Sequence, residues 1–365
     1  MKDTPLSLEM VKSVRNRYKV GMMKWHYEHG LMLYAALEVA KYYDDKTFYP
    51  WVYSLYNCLI KDDGSISTYR EGEFNLDQIN AGRALFTLAE NSKETRFYKA
   101  ICNLVSQLDK QPRCLNKVYW HKQIYPWQIW LDGLYMQSPF QAEYAVKIKD
   151  EERLSDVVSQ LLTTYEVLKD PNTGLLYHAF DEAKGQRWAD PQTGLSPHFW
   201  SRSIGWYFMA VLDVLDFLPT AHPDRLSLIK IVNDLALCLV SYQDETGLWW
   251  QVTDEKGREG NYLETSGTSM FAYSLYKGIR LGFLNNKFLD FADKAIEGIK
   301  KLYLFKDDKA EYHLDGICSV AGLGGNPYRD GSFKYYICEP RKLDDFKGVA
   351  PFVLALLEGE KLKEV

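Results

Sequence analysis

The sequence lacks several features that would assign it to common classes of protein. Its 365 residues carry a formal net charge of −5, so no broad positive surface for nucleic acid is expected. No apolar run approaches the length of a membrane-spanning helix, and the first ten residues contain no apolar signal-peptide core. We therefore expect no nucleic-acid partner, no membrane association and a cytoplasmic location, or a periplasmic one if a signal peptide has been removed.

Paired cysteines and common catalytic motifs are also missing. The six cysteines are widely separated, which in a chain of this size predicts free thiols rather than a disulfide framework or a zinc site. His26 and His29 have helical ligand spacing but no third His or Cys at metal-binding distance along the chain. Residues 322–325 are glycine-rich, but they lack the strand and the Lys-Ser/Thr pair of a phosphate loop, and no Gly-x-Ser-x-Gly elbow occurs. We expect neither a metal nor a cofactor.

Alternating strand patterns are scarce, and helical periodicity replaces them along most of the chain. Apolar residues recur at helical spacing in twelve segments, at about 7–20, 30–43, 46–60, 77–91, 94–110, 134–148, 151–168, 201–217, 222–243, 266–281, 286–303 and 345–358. Short two-stranded ribbons are expected only near 248–253 and 332–338.

A turn sequence recurs after these predicted helices. Asp-Pro-Asn-Thr-Gly-Leu at 170–175 resembles Asp-Glu-Thr-Gly-Leu at 244–248. Such repetition indicates helical hairpins that stack, because one hairpin is too thin to bury its own apolar face. Six hairpins that close on themselves form an all-α (α/α)6 toroid, and the lack of a Pro/Ser-rich linker predicts a single domain over residues 1–365. An open solenoid is less favoured, because neither end resembles a polar capping repeat.

The stretch 120–140 is the strongest candidate for a ligand pocket. It contains six aromatic residues together with His121, Lys122 and a single carboxylate, Asp132. A surface loop would not expose so many rings, and a core would not bury these polar groups unpaired. A concave site with aromatic walls and a few convergent polar groups satisfies both conditions. The alternative is an aromatic core segment in which Asp132 is a helix N-cap.

Further polar residues fall at predicted helix starts, where a toroid opens to ligands. These are His26 beside Tyr27, Asp77, His178 among aromatic residues, and Arg202 followed by Trp206. Asp77 is alternatively a helix N-cap, and His178 a satisfied core histidine. Arg202 suits a carboxylate ligand, since its guanidinium binds carboxylates bidentately and a helix start adds positive potential. A structural salt bridge is the other interpretation.

Four strings follow one another along the chain, namely Trp-His-Tyr at 25–27, Trp-His-Lys at 120–122, Trp-Leu-Asp-Gly-Leu-Tyr-Met at 130–136 and Arg-Ser-Ile-Gly-Trp at 202–206. Together they resemble glycoside hydrolase family 105, the unsaturated rhamnogalacturonyl hydrolases, which are related to the unsaturated glucuronyl hydrolases of family 88. The resemblance extends from about residue 8 to about 358. It implies the (α/α)6 fold and a substrate with a 4,5-unsaturated uronic acid at its non-reducing end, as lyases leave on pectin-type oligosaccharides.

The resemblance also implies roles for individual residues. Asp132 matches the family's proton donor, and Asp77 matches a second carboxylate of the catalytic subsite. Substrate contacts are implied for His26, Tyr27, His121, Lys122, Tyr125, Trp130, His178, Arg202 and Trp206. Gln123 and Ile124 and the long loop at 322–325 depart from the family pattern. These departures affect the expected specificity for the sugar that follows the uronate.

The implied reaction is hydration of a vinyl ether rather than direct glycoside hydrolysis. Asp132 would protonate C4 and then, as a carboxylate, accept a proton from the water that attacks C5. The partner is therefore a small oligosaccharide, and the protein is expected to be a monomer or a weak homo-oligomer. Three alternatives remain. One is an inverting hydrolase that uses Asp77 and Asp132. The second is an epimerase that uses His121 and His178, and the third is a sugar-binding toroid without activity.

Overall fold

The computed structural model describes residues 4–363, and most of them lie in helices. The thirteen α-helices of the described chain are α1 Leu6–Arg17, α2 Tyr27–Tyr43, α3 Phe48–Asn57, α4 Arg83–Ser92, α5 Thr95–Lys110, α6 Leu131–Ile148, α7 Glu151–Leu168, α8 Ser201–Phe217, α9 Arg225–Ser241, α10 Thr265–Arg280, α11 Leu289–Leu302, α12 Phe333–Cys338 and α13 Phe346–Leu362. Within this part of the chain, no helix is both long enough and apolar enough to cross a bilayer.

The long helices form two concentric rings. Six of them, α2, α4, α6, α8, α10 and α13, make the inner ring, which closes where α13 packs against α2. Each inner helix packs against one outer helix, and the pairs are α2–α3, α4–α5, α6–α7, α8–α9, α10–α11 and α13–α1. The chain termini therefore supply the last hairpin together. The expected (α/α)6 toroid of six hairpins is confirmed.

Burial follows the two rings. Inner helix α10 is buried at every residue except Arg280, as expected for a helix packed on all sides. Outer helix α5 instead buries one stripe that includes Ile101, Leu104, Val105 and Leu108, the i, i+3, i+4, i+7 spacing that the sequence displays. Removing these stripes from water is the main contribution to the stability of the ring.

Three short antiparallel ribbons connect helices. Strand β1 (Gln128–Trp130) pairs with β2 (Ala179–Asp181), β3 (Trp249–Trp250) with β4 (Leu263–Glu264), and β5 (Leu304–Lys306) with β6 (Tyr312–Leu314). The ribbon predicted near 248–253 is present as β3. The ribbon predicted near 332–338 is wrong, because that segment is α12. The Ser332 side chain caps it, accepting a hydrogen bond from the Tyr335 amide at 3.2 Å.

The fourth helix begins later than its predicted start at residue 77. Two 3₁₀ turns, Leu76–Gln78 and Asn80–Gly82, precede α4. Asn75 caps the first turn by accepting from the Asp77 amide at 3.0 Å, so the N-cap interpretation of Asp77 is wrong. The Asp77 carboxylate is therefore free to contact other residues at the end of the ring.

Candidate active site

The predicted site residues converge at the end of the ring where the inner helices begin. Tyr27 is the first residue of α2, and Asp132 lies in the first turn of α6. Trp130, not Asp132, is the N-cap residue of α6, so the capping interpretation of Asp132 is also wrong. The Asp132 side chain remains 15% exposed, which leaves its carboxyl accessible from the open end.

The β1–β2 ribbon brings Asp132 to His178. Trp130 pairs with Ala179, and the Leu131 amide donates to the His178 carbonyl at 3.1 Å, which places the two side chains next to each other. Asp132 Oδ2 lies 3.3 Å from Nε2 of His178, which is fully buried. These two atoms are not aligned as a hydrogen bond. Each therefore retains hydrogen-bonding capacity toward the pocket.

His178 has a second partner on the opposite side of its ring. Its Nδ1 lies 2.7 Å from the hydroxyl of Tyr336, which is fully buried. Tyr336 is in α12, and its carbonyl accepts from Gln251 Nε2 at 3.1 Å. The interpretation of His178 as a satisfied core histidine therefore holds for Nδ1 only, because Nε2 is buried without a hydrogen-bond partner and faces the candidate proton donor.

Asp77 lies in a separate cluster of positive and aromatic groups. The Leu76 amide donates to the His121 carbonyl at 3.2 Å, which holds the two loops together. Asp77 Oδ2 is 2.5 Å from Lys122 Nζ, and its Oδ1 is 3.4 Å from His121 Nε2. Burial alone would raise the pKa of Asp77, but the attraction of Lys122, then of His121 and His26, outweighs burial and lowers this pKa.

His121 itself is a poor source of positive charge. Burial lowers its pKa to about 4, although Asp77 opposes this shift. At neutral pH, Lys122 is therefore the cation that keeps Asp77 ionised. A carboxylate held in this way is a weak base, because protonation would break its ion pair.

An aromatic ladder forms one wall of the site. His121 stacks on Trp130 with ring centroids 5.0 Å apart, and Tyr125 stacks on the same indole at 5.0 Å. Trp130 also contacts His178 edge to face at 5.3 Å. Gly133 permits this packing, since a Cβ at that position would lie 2.9 Å from His121 Nδ1. Four predicted site residues are therefore in one continuous wall.

Arg202 lies in the first turn of α8, and its side chain is almost fully buried. Its Nη1 donates to the Ser266 hydroxyl at 3.2 Å and to the Cys318 carbonyl, and its guanidinium lies 4.6 Å from the Trp200 ring. Glu264 caps α10 and accepts from the Cys318 amide at 2.9 Å. Glu264 thereby fixes the segments that hold the guanidinium.

The guanidinium of Arg202 retains a free donor. Its Nε is buried and has no hydrogen-bond partner. No carboxylate within residues 4–363 lies at ion-pair distance from this side chain, so the structural salt bridge considered from the sequence is wrong. An unpaired buried cation of this kind suits an anionic ligand.

The hydroxyl of Tyr27 interacts electrostatically with both candidate carboxyl groups, Asp77 and Asp132. Burial, followed by the negative charges of Asp77, Glu28 and Asp132, raises the pKa of its hydroxyl, while Arg202 opposes the shift. The Tyr27 ring rests edge-on against Trp206 at 6.0 Å and beside His26 at 4.5 Å. All eleven predicted site residues therefore lie in one connected group.

The other histidine of the early motif lies elsewhere. The ring of His29 is hydrogen-bonded to the Tyr18 hydroxyl and lines a separate cavity of about 580 Å³ with Phe346. Burial lowers the pKa of His29 to about 4. Across the described residues, no group of three or more His, Cys, Asp or Glu side chains is placed to hold a metal ion.

Sequence reasoning missed two residues near this site. Tyr336 falls within the ribbon predicted near 332–338 and was not identified as a site residue. Its position beside Tyr335 in an aromatic stretch could have marked it as a candidate. Arg329 follows the glycine-rich loop, and its Nη2 donates to the Tyr125 hydroxyl at 3.2 Å. That loop packs on the aromatic wall through Leu323, which clusters with Trp130.

Comparisons with known proteins agree with this architecture. Residues 8–363 match the model of Glycosyl Hydrolase Family 88. The structure of a family 105 glycoside hydrolase from C. acetobutylicum is 42% identical in sequence, with a TM-score of 0.95 over 98% of this chain and 100% of that chain. A 24.9 kDa protein in the picA locus of Rhizobium radiobacter is 38% identical over 230 residues, which are 61% of this chain and 98% of that protein.

A more distant relative has a named activity. The unsaturated rhamnogalacturonyl hydrolase YesR of Bacillus subtilis is 26% identical over 213 residues, 57% of this chain and 59% of that protein. The family match over nearly the whole chain and the 42% identity to a family 105 structure decide the assignment. The chain belongs to the related glycoside hydrolase families 88 and 105, and it is a glycoside hydrolase.

Proposed function

We propose that the protein removes a 4,5-unsaturated uronic acid from the non-reducing end of oligosaccharides that lyases produce. The observation that carries this proposal is the unequal environment of the two carboxyl groups. Asp77 is held ionised by Lys122 at 2.5 Å. Asp132 has no cation other than a histidine at ion-pair distance among the described residues, and it faces His178 at 3.3 Å. One carboxyl is therefore committed to an ion pair, while the other is available for proton transfer.

Arg202 supports recognition of the uronate carboxylate. Its buried Nε lacks a partner, and its guanidinium is already positioned by Ser266, Cys318 and Trp200. A substrate carboxylate would supply the missing acceptor with little loss of side-chain entropy, since the fork is fixed before binding. This arrangement supports binding of an acidic sugar rather than a neutral one.

The chemistry then follows from the vinyl ether of the unsaturated ring. Protonated Asp132 gives its proton to C4, and positive charge develops between C5 and the ring oxygen. Water attacks C5 as the Asp132 carboxylate accepts its proton, which restores the carboxyl group. The C5 hemiketal opens to a ketone and leaves a hemiacetal at C1, which expels the next sugar as an alcohol. The net reaction consumes one water.

His178 can serve Asp132 in both protonation states. When Tyr336 donates to Nδ1, Nε2 carries the hydrogen and can donate to the Asp132 carboxylate once the two groups align. When Nδ1 donates to Tyr336 instead, the Nε2 lone pair can accept from the protonated carboxyl. The buried Tyr336–His178 pair thus accommodates one residue that acts first as acid and then as base.

The same geometry disfavours an inverting hydrolase with Asp77 as the base. An inverting mechanism needs a second carboxylate that takes a proton from water. The pKa of Asp77 is lowered by Lys122 against the effect of burial, so its affinity for a proton is small. For this reason we assign Asp77 to binding substrate hydroxyls and to orienting Lys122.

The substrate class we propose is a rhamnogalacturonan or pectin-type fragment. Its support is the activity named for the YesR relative together with the family assignment. A cytoplasmic location and a monomer or weak homo-oligomer stay predictions from the sequence.

The test follows loss of the ultraviolet absorbance of the conjugated uronate when the protein is mixed with lyase-generated fragments. We expect decay with the wild type and at least about a 100-fold loss of rate in Asp132→Asn, because general acid–base catalysis contributes that much or more. The matched control is Asp62→Asn, which makes the same change at an exposed carboxylate. Turnover by Asp132→Asn at the wild-type rate would refute the role of Asp132. Hydrolysis of saturated fragments only would refute the proposed reaction.

A further inference from the structure

The glycine-rich loop encloses the side chain of Arg329. The amides and carbonyls of Gly324 and Arg329 pair with each other at 2.8 and 3.1 Å, and Arg329 Nε donates to the Gly324 carbonyl at 3.1 Å. A Cβ on Gly322 would lie 2.7 Å from Nη1, and a Cβ on Gly325 would lie 3.1 Å from Nη2. The glycines therefore let bare backbone surround this guanidinium, which any side chain at 322 would displace.

Among the described residues, Arg329 has no acidic partner. Several other partly or fully buried arginines of this protein do contact carboxylates, as Arg83 does with Asp213, Arg113 with Asp156 and Arg153 with Asp109. For Arg329, no carboxylate of residues 4–363 lies within ion-pair distance, although the side chain is half-buried. A cation that is partly desolvated and unpaired is costly unless an anion binds there.

The position of this cation relative to the candidate active site is defined by the aromatic ladder. Arg329 Nη2 donates to the Tyr125 hydroxyl at 3.2 Å. Tyr125 stacks on Trp130, and Trp130 on His121, with 5.0 Å between centroids in each pair. His121 contacts Asp77. The guanidinium thus lies at the far end of the wall whose near end is in the catalytic cluster.

We infer that Arg329 binds an anionic group, a carboxylate or a sulfate, on a sugar that follows the unsaturated uronate. This inference rests on the proposed function. The two cations among the predicted site residues are already assigned, since Lys122 pairs with Asp77 and Arg202 is buried at the start of α8. Arg329 remains for a second anion, and its planar fork binds either oxyanion bidentately. It would make the enzyme select acidic rather than neutral leaving sugars.

A purely structural role for Arg329 predicts a different result. If the guanidinium only joined the loop to Tyr125, its loss would disturb the wall equally for every substrate. If it binds an anion, its loss affects only substrates that carry one. Comparing leaving sugars that differ in charge therefore separates the two roles.

The experiment uses three unsaturated uronyl disaccharides whose second sugar is neutral, carboxylated or sulfated. In Arg329→Gln, we expect kcat/KM to fall about 10-fold to 100-fold for at least one acidic substrate, as loss of a charge-assisted hydrogen bond implies, and to stay within about twofold for the neutral one. Arg329→Lys should recover part of the loss. The control is Arg187→Gln, which removes an exposed cation stacked on Tyr328 at 3.8 Å in the same region and should leave all three rates unchanged.

The outcomes separate this inference from the proposed function. Equal losses on all three substrates, or no loss on any, would overturn the role of Arg329. Which acidic substrate responds identifies the group as carboxylate or sulfate. Should the wild type turn over none of them, the proposed function fails. Calorimetric binding of the three disaccharides then decides the inference, since an acidic preference lost in Arg329→Gln supports it and any other result refutes it.

Discussion

Replacing Lys122 by methionine tests the most important electrostatic contact of the candidate site. The change keeps an apolar chain of similar length and removes the cation that lies 2.5 Å from Asp77. The two side chains are 20% and 10% exposed, so water replaces the lost partner poorly. Without Lys122, the effect of burial on Asp77 is no longer outweighed. The pKa of this carboxyl should then rise.

The expected cost at neutral pH is substantial. Removing one partner of a buried ion pair costs about 3–5 kcal/mol. Because both side chains keep some exposure, we expect Lys122→Met to lower the free energy of unfolding by about 2–3 kcal/mol at pH 7.

The pH dependence of this difference has a defined sign. In the wild type, the folded-state pKa of Asp77 lies below its ordinary value of 3.8. The ion pair therefore contributes its full stability above that value, and the contribution is lost as pH falls toward the folded-state pKa. The stability difference between wild type and Lys122→Met should be largest near neutral pH and should shrink below about pH 4.

Urea unfolding at several pH values, followed by tryptophan fluorescence, measures these differences. The double variant Asp77→Asn/Lys122→Met should regain most of the lost stability, because no buried charge is left unpaired. Lys41→Met, at an exposed position of α2, should change stability little. A double variant no more stable than Lys122→Met, or a difference that does not change with pH, would refute the electrostatic explanation.

Two further predictions concern groups that position residues of the candidate active site. Tyr336→Phe removes the 2.7 Å hydrogen bond to His178 and leaves a buried nitrogen unsatisfied, a cost of about 1–3 kcal/mol. Steady-state kinetics should give a kcat about 5-fold to 150-fold lower with KM nearly unchanged, and an equal change in kcat and KM would contradict the role of Tyr336 in positioning His178. Gly133→Ala places a methyl group 2.9 Å from His121 Nδ1. This clash should destabilise the protein by about 1–3 kcal/mol, measured by thermal unfolding. It should also reduce activity in the absorbance assay. Gly185→Ala, with open space around it, is its control, and equal effects of the two would refute the steric argument.

The helices were predictable because their signal is local. Each outer helix buries one apolar stripe, and that stripe is visible in the sequence as a 3.6-residue period. The closed arrangement of hairpins followed from their number and from the repeated turns. Residues 1–365 as a single domain stays a prediction.

The turns around Asp77 were less predictable. Helical periodicity extends back to residue 77, but Asn75 caps a 3₁₀ turn, and α4 begins only at Arg83. Local side-chain caps compete with the helix at such positions. Their outcome depends on contacts with distant loops, such as the Leu76–His121 hydrogen bond at 3.2 Å.

The hydrogen bonds that hold the site residues in place were not predictable, because each of them joins distant parts of the chain. Tyr336 lies 158 residues from His178 along the sequence, and Arg329 lies 204 residues from Tyr125. Neither pair has a spacing that a motif could reveal. Composition indicated an aromatic pocket, and the family resemblance supplied its residues. The fold alone places the residues that orient them.

Buried ionic contacts in the interior of the ring orient aromatic residues at the base of the candidate site. Arg83 donates to Asp213 at 2.8 Å and to the Tyr135 hydroxyl at 2.9 Å, and Lys277 donates to Asp213 at 2.7 Å. Burial raises the pKa of Asp213, but the two cations outweigh it and hold this pKa at about 2. A buried ionic cluster of this kind adds little net stability over apolar packing. The cluster instead fixes the orientation of a side chain, because the hydrogen bond from Arg83 holds the ring of Tyr135, which stacks on Trp206 at 4.9 Å.

Trp206 in turn packs edge-on against the ring of Tyr27. The hydroxyl of Tyr27 is subject to the negative charges of Asp77 and Asp132. An aliphatic interior would pack as densely, but it would leave the rotation of these rings undetermined. The polar centre of the toroid is therefore best understood as part of the site. It sets the orientation of the aromatic side chains that we propose as the substrate-binding surface.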